Sequence, residues 1–315
     1  MDFRTEINPK NFDFKINHSN KIMLLGSCFT EHISQKLSER KFKIKSNPLG
    51  IMFHPKAIFK TLNRVINGFY FSENEMFEQN GRFYCYDAHS QFNGSSAAEL
   101  TEKLNTELTK AIDWLKSSDY LFITFGTSWI YRLKETREVV ANCHKSPNNL
   151  FQKELLDPKR AHEIFYGLKQ KLKKFNPNLK IVFTISPVRH WRDGHFENQL
   201  SKGLLFQCVY HFINQFKACY YFPAYEIVMD DLRDYRFYES DLIHPNQLAI
   251  NYMWEKFENC FFEPKTLEIN QEIEKISKAQ NHLAFNPETE EHKKFLKSIE
   301  KNIENFQKKY PEINL

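Results

Sequence analysis

Short runs of apolar, aromatic and β-branched residues recur along the chain at Lys21–Leu25, Phe42–Lys45, Tyr120–Phe125, Lys180–Ile185 and Tyr220–Val228. They are nearly continuous rather than alternating, which predicts strands covered on both faces. Between them the apolar positions return at helical spacing. Phe29, Ile33 and Leu37 stand four apart, as do Leu100, Leu104 and Leu108 ahead of Ile112 and Leu115. Ala161–Phe175, Phe196–Phe216 and Gln247–Phe261 also read as helices. Strands alternating with long helices predict βαβ units, hence a three-layer α/β/α sandwich around a mostly parallel five-stranded sheet. In such a fold reactive residues belong in the loops leaving the carboxyl ends of the strands.

The pattern also divides the chain. Residues 1–262 read as one α/β domain. From Glu263 onward no strand run remains, and Lys/Glu-rich stretches of helical spacing, interrupted around Ala284–Pro287, predict a helical extension over 263–315 that packs on the main domain and takes no part in catalysis. Phe71–Gly94 and Trp129–Phe151 mix polar and aromatic residues without a clear period and read as insertions over the strand ends.

Composition narrows the function. Among 315 residues, 44 Lys and Arg face 39 Asp and Glu, and the net +5 is scattered along the whole length, unlike a nucleic-acid footprint. No run approaches the about 18 apolar residues of a membrane span, and polar Met1–Asn20 lacks the apolar stretch of a signal peptide, so a cytoplasmic protein is expected. Six cysteines without a CxxC pair suit free thiols in a reducing compartment. The 30 Phe predict an aromatic interior, part of which can line an apolar pocket.

Chemistry concentrates at two places. In Lys21–Leu37 a strand ends, Gly26 permits a tight turn and a helix begins near Ser27. A hydroxyl there sits beside a helix N-terminus, which favours developing negative charge, although Ser is equally at home there as a simple cap. Asp241 and His244 lie just ahead of the last helix of the main domain. Three residues apart at a helix start, they are neighbours on one face, so the carboxylate can hold the imidazole's tautomer while the other ring nitrogen faces a serine. Ser27 follows the first strand and the Asp–His pair the last, so both belong on one edge of a parallel sheet. Gly50 would let a bare backbone N–H approach an oxyanion, and Gly126 would open a third loop toward it.

Together these segments resemble a known family. GSCFT at Gly26–Thr30, NPLG at Asn47–Gly50, FGTSW at Phe125–Trp129, VANCHK at Val140–Lys145, SPVRHW at Ser186–Trp191 and DLIHPN at Asp241–Asn246 are similar, in matching order, to the GSCFA-domain proteins, which belong with the SGNH/GDSL-type hydrolases. The resemblance implies a flavodoxin-like sandwich with Ser27 as nucleophile and Asp241 and His244 as the closing DxxH. It also implies an oxyanion hole built from the backbone N–H groups of Ser27 and Gly50 and one side-chain donor. Two departures stand out. The first block of the wider superfamily reads GDS, whereas here Gly26 directly precedes Ser27. The third block usually reads Gly-x-Asn-Asp, whereas here Ser128 takes the Asn position, leaving Ser128 or Asn142 as the third donor.

Several neighbours are weighed against plainer roles. Cys28 would be reactive at a helix N-terminus, but consecutive residues of a strand–helix turn point in different directions, and the expectation is placed on Ser27. Arg189 and His190 follow the fourth strand, where Arg can bind an anionic substrate group or pair with a nearby acid. Trp129 with Tyr131, Tyr84 and Phe92 can wall a sugar or acyl site or simply pack. His54, His89, Cys143, His144 and His195 have no spacing of an established metal site, and no P-loop or GxGxxG is present, so no metal or cofactor is expected. The sequence therefore points to a serine esterase or acyltransferase acting on a small-molecule or carbohydrate O-acyl ester, with no nucleic-acid or membrane partner. The alternative is a non-catalytic glycan- or protein-binding module on the same scaffold.

Overall fold

The computed structural model describes residues 4–280 and 289–315. The main body runs β1 (Lys21–Gly26), α1 (Cys28–Glu39), β2 (Lys43–Ser46), α2 (Pro55–Asn67), a hairpin of β3 (Met76–Gln79) and β4 (Arg82–Cys85), α3 (Ala97–Lys116) and β5 (Tyr120–Phe125). It continues with β6 (Trp129–Leu133), β7 (Val139–Val140), β8 (Phe151–Leu155), α4 (Pro158–Phe175), β9 (Lys180–Ile185), α5 (His195–Gln215), β10 (Cys219–Tyr221), the single turn α6 (Ala224–Glu226) and α7 (Gln247–Phe261). Helices α8 (Pro264–Gln280) and α9 (Glu290–Lys309) follow.

The central sheet has five strands in the order β10-β9-β5-β1-β2, every pair parallel. Successive side chains of a strand point to opposite faces, and the burial follows that alternation. Met23 and Leu25 of β1, with Leu121, Ile123 and Phe125 of β5 and Ile181, Phe183 and Ile185 of β9, meet the stripes of α2, α3, α4 and α5. Ile22, Leu24, Tyr120, Phe122 and Val182 face the opposite layer, built from α1, α7 and the segment after β10. The continuous apolar runs are thus two interleaved faces, each with its own helical cover. In α3, Leu100, Leu104, Leu108 and Leu115 are all fully buried, each contributing about 2 kcal/mol by leaving water. Ser96 caps that helix by accepting from Glu99 N–H at 3.1 Å.

Some local expectations are corrected. The run Tyr220–Val228 is a strand only over β10, because Pro223 has no N–H for the ladder, and the chain then turns helical from Ala224. Helix α2 is an addition to the predicted elements: Pro55 in its first turn is a start signal, but its N-cap is His54 rather than one of the usual small polar residues. The two insertions have order of their own. One holds the antiparallel β3–β4 hairpin and the other an antiparallel sheet in the order β7-β6-β8.

Past α7, α8 and α9 share a small core of Ile269, Ile273, Phe306, Tyr310 and Ile313. Arg40 reaches Glu274 at 3.6 Å and Asn270 reaches Glu258 at 3.3 Å, tying α8 to the main body. The interruption expected around Ala284–Pro287 lies outside the described residues. Among the described residues no helix is long and apolar enough to cross a membrane, and all six cysteines are free.

Candidate active site

Gly26 closes β1 at φ +148°, a backbone conformation that side-chain-bearing residues rarely adopt, and its N–H donates to the Asn47 side-chain oxygen at 2.9 Å. A Cβ at this position would lie 2.2 Å from the Thr124 carbonyl oxygen, so neighbouring β5 leaves room for glycine alone. The turn sets Ser27 as the backbone N-cap of α1, with Cys28 as the first helical residue.

Over the carboxyl end of the sheet opens a cavity of about 710 Å3. Cys28 enters it from the β1–α1 turn, Phe53 and His54 from the loop after β2, and Thr127 from the loop after β5. Trp129, Tyr131 and Asn142 come from the second insertion, Val188 to Asp193 from the loop after β9, and Ile243 and His244 from the loop before α7. Residues from both ends of the main body thus share one opening, as the parallel sheet requires.

His244 and Asp241 form the expected pair, with Nδ1 to Oδ2 at 2.6 Å. A turn brings them together, not a helix face: Asp241 Oδ1 accepts from Ile243 N–H at 2.9 Å and from His244 N–H at 3.0 Å, Leu242 adopts φ +58°, and α7 starts only at Gln247, capped by Asn246. The His244 backbone N–H and then its ring hold the Asp241 carboxyl down to about 2, so the carboxylate is charged throughout the neutral range. An ionised acceptor fixes the imidazole proton on Nδ1 and leaves Nε2 as the basic nitrogen.

Ser27 lies differently. It is 1% exposed, its Oγ is buried without a partner, and it does not line the cavity. Its backbone N–H donates to Thr124 O at 3.2 Å. Gly50 turns its N–H to Asn47 O at 2.7 Å and packs against His89, where a Cβ would come within 2.2 Å of the His89 Cβ, so close packing accounts for this glycine. Both backbone donors expected for an oxyanion are therefore engaged in this structure. Ser128 is fully buried, its N–H held by Ser201 Oγ at 2.8 Å. Asn142 faces the cavity. Its Oδ1 accepts from His144 N–H at 2.7 Å, which orients the amide and leaves its NH2 for a ligand.

Trp129 and Tyr131 supply an aromatic wall, and Lys153 lies 4.4 Å from the centre of the Trp129 ring. Tyr84 and Phe92 do not line the cavity. Arg189 lines it and has no carboxylate partner among the described residues, its nearest polar contact being Met229 Sδ at 3.0 Å. The guanidinium therefore remains available to an anionic ligand. Burial pulls His190 down to about 4, keeping this second cavity imidazole neutral. Among the described residues no three His, Cys, Asp or Glu side chains are grouped to hold a metal ion, and the Nε2 atoms of His54 and His144 are spent on Val140 O and Cys85 O.

His54 is a titratable hinge of the cavity wall. Its Nδ1 accepts from Ala57 N–H at 3.1 Å to cap α2, and its Nε2 donates to Val140 O at 2.9 Å, a geometry open only to the neutral ring. Burial lowers it from 6.5 to about 4. The unfolded chain thus takes up this proton first: the stabilisation is complete above pH 6.5 and declines toward pH 4 by about 1.4 kcal/mol per unit. Urea unfolding between pH 7 and pH 4.5 should show this loss in the wild type and less of it in His54→Asn, which caps without titrating. An identical pH dependence in the variant would refute the assignment.

Two sequence profiles match the chain, the GSCFA family over residues 21–257 and the GSCFA domain protein, C-terminal domain, over residues 273–315. No curated protein matches it. Solved structures similar to it include a family 3 carbohydrate esterase of Clostridium thermocellum, at 11% identity over 80% of this chain and 97% of that one with a TM-score of 0.33. Another is the acetyl xylan esterase Est2A of the rumen bacterium Butyrivibrio proteoclasticus, at 9% identity over 77% of this chain and 63% of that one with a TM-score of 0.38.

Proposed function

The chain belongs to the GSCFA family, and on that premise we propose that it is an acyl-transfer enzyme, an esterase or acyltransferase acting on O-acyl esters such as acetylated carbohydrates. One observation carries the reading: His244, held by Asp241, and Cys28 at the N-terminus of α1 line the same cavity. His244 Nε2 takes the proton of the attacking group, supplied by the turn where Ser27 and Cys28 stand side by side, and later returns it to the leaving alkoxide. Asp241 keeps the imidazole in that tautomer and stabilises its cation. The amide of Asn142 supports the developing oxyanion. Phe53, Trp129, Tyr131 and Trp191 give the cavity flat apolar faces suited to the C–H faces of a sugar ring.

A second reading, a glycan- or protein-binding module, is favoured by the engagement of the Ser27 and Gly50 N–H groups, which leaves an oxyanion fewer ready donors. The test offers the full chain nitrophenyl acetate and an O-acetylated oligosaccharide. Release of acetate supports the enzyme, whereas saturable binding of the oligosaccharide without turnover supports the module.

Arg189 adds a selectivity prediction. For an ester bearing a carboxylate, Arg189→Met should raise KM about tenfold, the worth of one charge-assisted hydrogen bond, while a neutral ester of equal size is little affected. Steady-state kinetics on the two esters check this, and equal losses on both would remove Arg189 from substrate recognition.

A further inference from the structure

Within the acyl-transfer reading, on which this inference rests, we propose that the nucleophile of the cavity is Cys28 and that the intermediate is a thioester. Of the two reactive side chains in the β1–α1 turn, Cys28 lines the cavity that His244 lines, and Ser27 does not. The Ser27 hydroxyl is enclosed in the packing under the turn, against Gly126, where a Cβ would lie only 3.2 Å from the Ser27 Cβ.

The surroundings of Cys28 suit a sulfur that becomes an anion. Cys28 and Phe29 are the first two residues of α1, so their N–H groups have no acceptor within the helix, and both act on the Cys28 sulfur. The positive end of the α1 dipole points the same way. Below the turn lies Lys202, 2% exposed, its Nζ donating at 2.7 Å to Gly126 O and at 2.7 Å to Ser186 O, the carbonyls just past β5 and β9. Its charged form favours the thiolate, but burial lowers Lys202 itself to about 7, and burial of the sulfur outweighs these aids and raises the thiol. Cys28 therefore rests protonated and needs a base, which is the part left to His244.

The atoms balance without a further reagent. The Cys28 sulfur bonds to the acyl carbon as its proton passes to His244 Nε2, and the ester C–O bond then breaks with that proton moving to the departing oxygen. Water, or a second alcohol, next attacks the thioester carbon and gives its proton to His244. The C–S bond breaks and the sulfur recovers the proton. Once the sulfur is acylated, the backbone N–H of Cys28, which has no acceptor within the helix, is released from the sulfur to support the oxyanion in place of that of Ser27.

The experiment acetylates the full chain with nitrophenyl acetate, quenches in acid and locates the acetyl group by fragmentation between Ser27 and Cys28. The expected adduct sits on Cys28 and is released by neutral hydroxylamine, it still forms in Ser27→Ala, and Cys28→Ala lowers kcat/KM by about 10^3-fold or more. Cys28→Ser, which preserves the size of the side chain, should carry a hydroxylamine-resistant oxyester. An acetyl group on Ser27, or Cys28→Ala turning over at the wild-type rate, overturns the proposal and leaves acyl transfer standing. Undiminished turnover in His244→Ala strikes at acyl transfer itself.

Discussion

Replacing His244 with alanine is expected to lower kcat/KM for nitrophenyl acetate by about 10^4-fold, the scale seen when the base of such a constellation is disabled. A thiol or hydroxyl is a poor nucleophile until its proton has somewhere to go, and Nε2 of His244 is the basic nitrogen that the Asp241 contact leaves exposed to the cavity. The fold should scarcely notice. The His244 side chain is 44% exposed, and the contacts that shape its loop are made by backbone: its N–H to Asp241 Oδ1 and its carbonyl to Glu239 N–H at 2.8 Å. Alanine retains both, so the stability change should stay within about 0.5 kcal/mol, as for other surface substitutions. Asp241→Asn combined with His244→Ala should lose little more than His244→Ala alone, because the two act as one unit. Steady-state kinetics with parallel thermal denaturation decide the matter. Loss of activity together with loss of fold would show the pair to be structural.

Gly26→Ala should have the largest effect on stability, about 4 kcal/mol. Two costs combine: a φ near +148° held by a residue with a Cβ, and an overlap with the Thr124 carbonyl that only movement of β5 or β1 can relieve. Such movement would also disturb the Gly26 N–H bond to Asn47 and swing Cys28 out of place, so activity should fall with stability. Gly167 provides the control. It lies inside α4, where an added Cβ would meet nothing within 4 Å, and it has no positive φ, so Gly167→Ala should stabilise by up to about 1 kcal/mol. Urea midpoints of the two variants should move in opposite directions. Parallel shifts would mean that the crowding at Gly26 is relieved cheaply.

The central strands are legible in the chain because burial on both faces makes Ile22–Leu25 apolar throughout, and Tyr120–Phe125 and Ile181–Ile185 apolar but for one buried threonine each. The insertion strands are not, since β6 and β3 keep most side chains half exposed and blur the alternation that marks a strand. Helix α2 is announced only by Pro55 in its first turn, since a histidine takes the place of the usual small polar cap. At the site, the spacing of Asp241 and His244 gives away their contact, although an Asp-centred turn, not helical periodicity, makes it. Spacing also holds the signal for Cys28. The GDS block puts a residue between glycine and serine, and counting the same distance from Gly26 reaches Cys28, whereas matching serine to serine reaches Ser27. Which way each side chain turns depends on the φ of Gly26 and the crowding by Thr124, neither of which is written in local sequence.

Trp129 and Tyr131 reach the opening from an antiparallel sheet that exchanges no strand pairing with the central five. On the proposed reading, the aromatic wall for the substrate and the reacting groups are accordingly housed in separable parts of the architecture. Remodelling those strands while keeping Asn142 can change which molecule is admitted without disturbing the machinery beneath them, so relatives sharing the same reactive floor can diverge in diet by altering one wall.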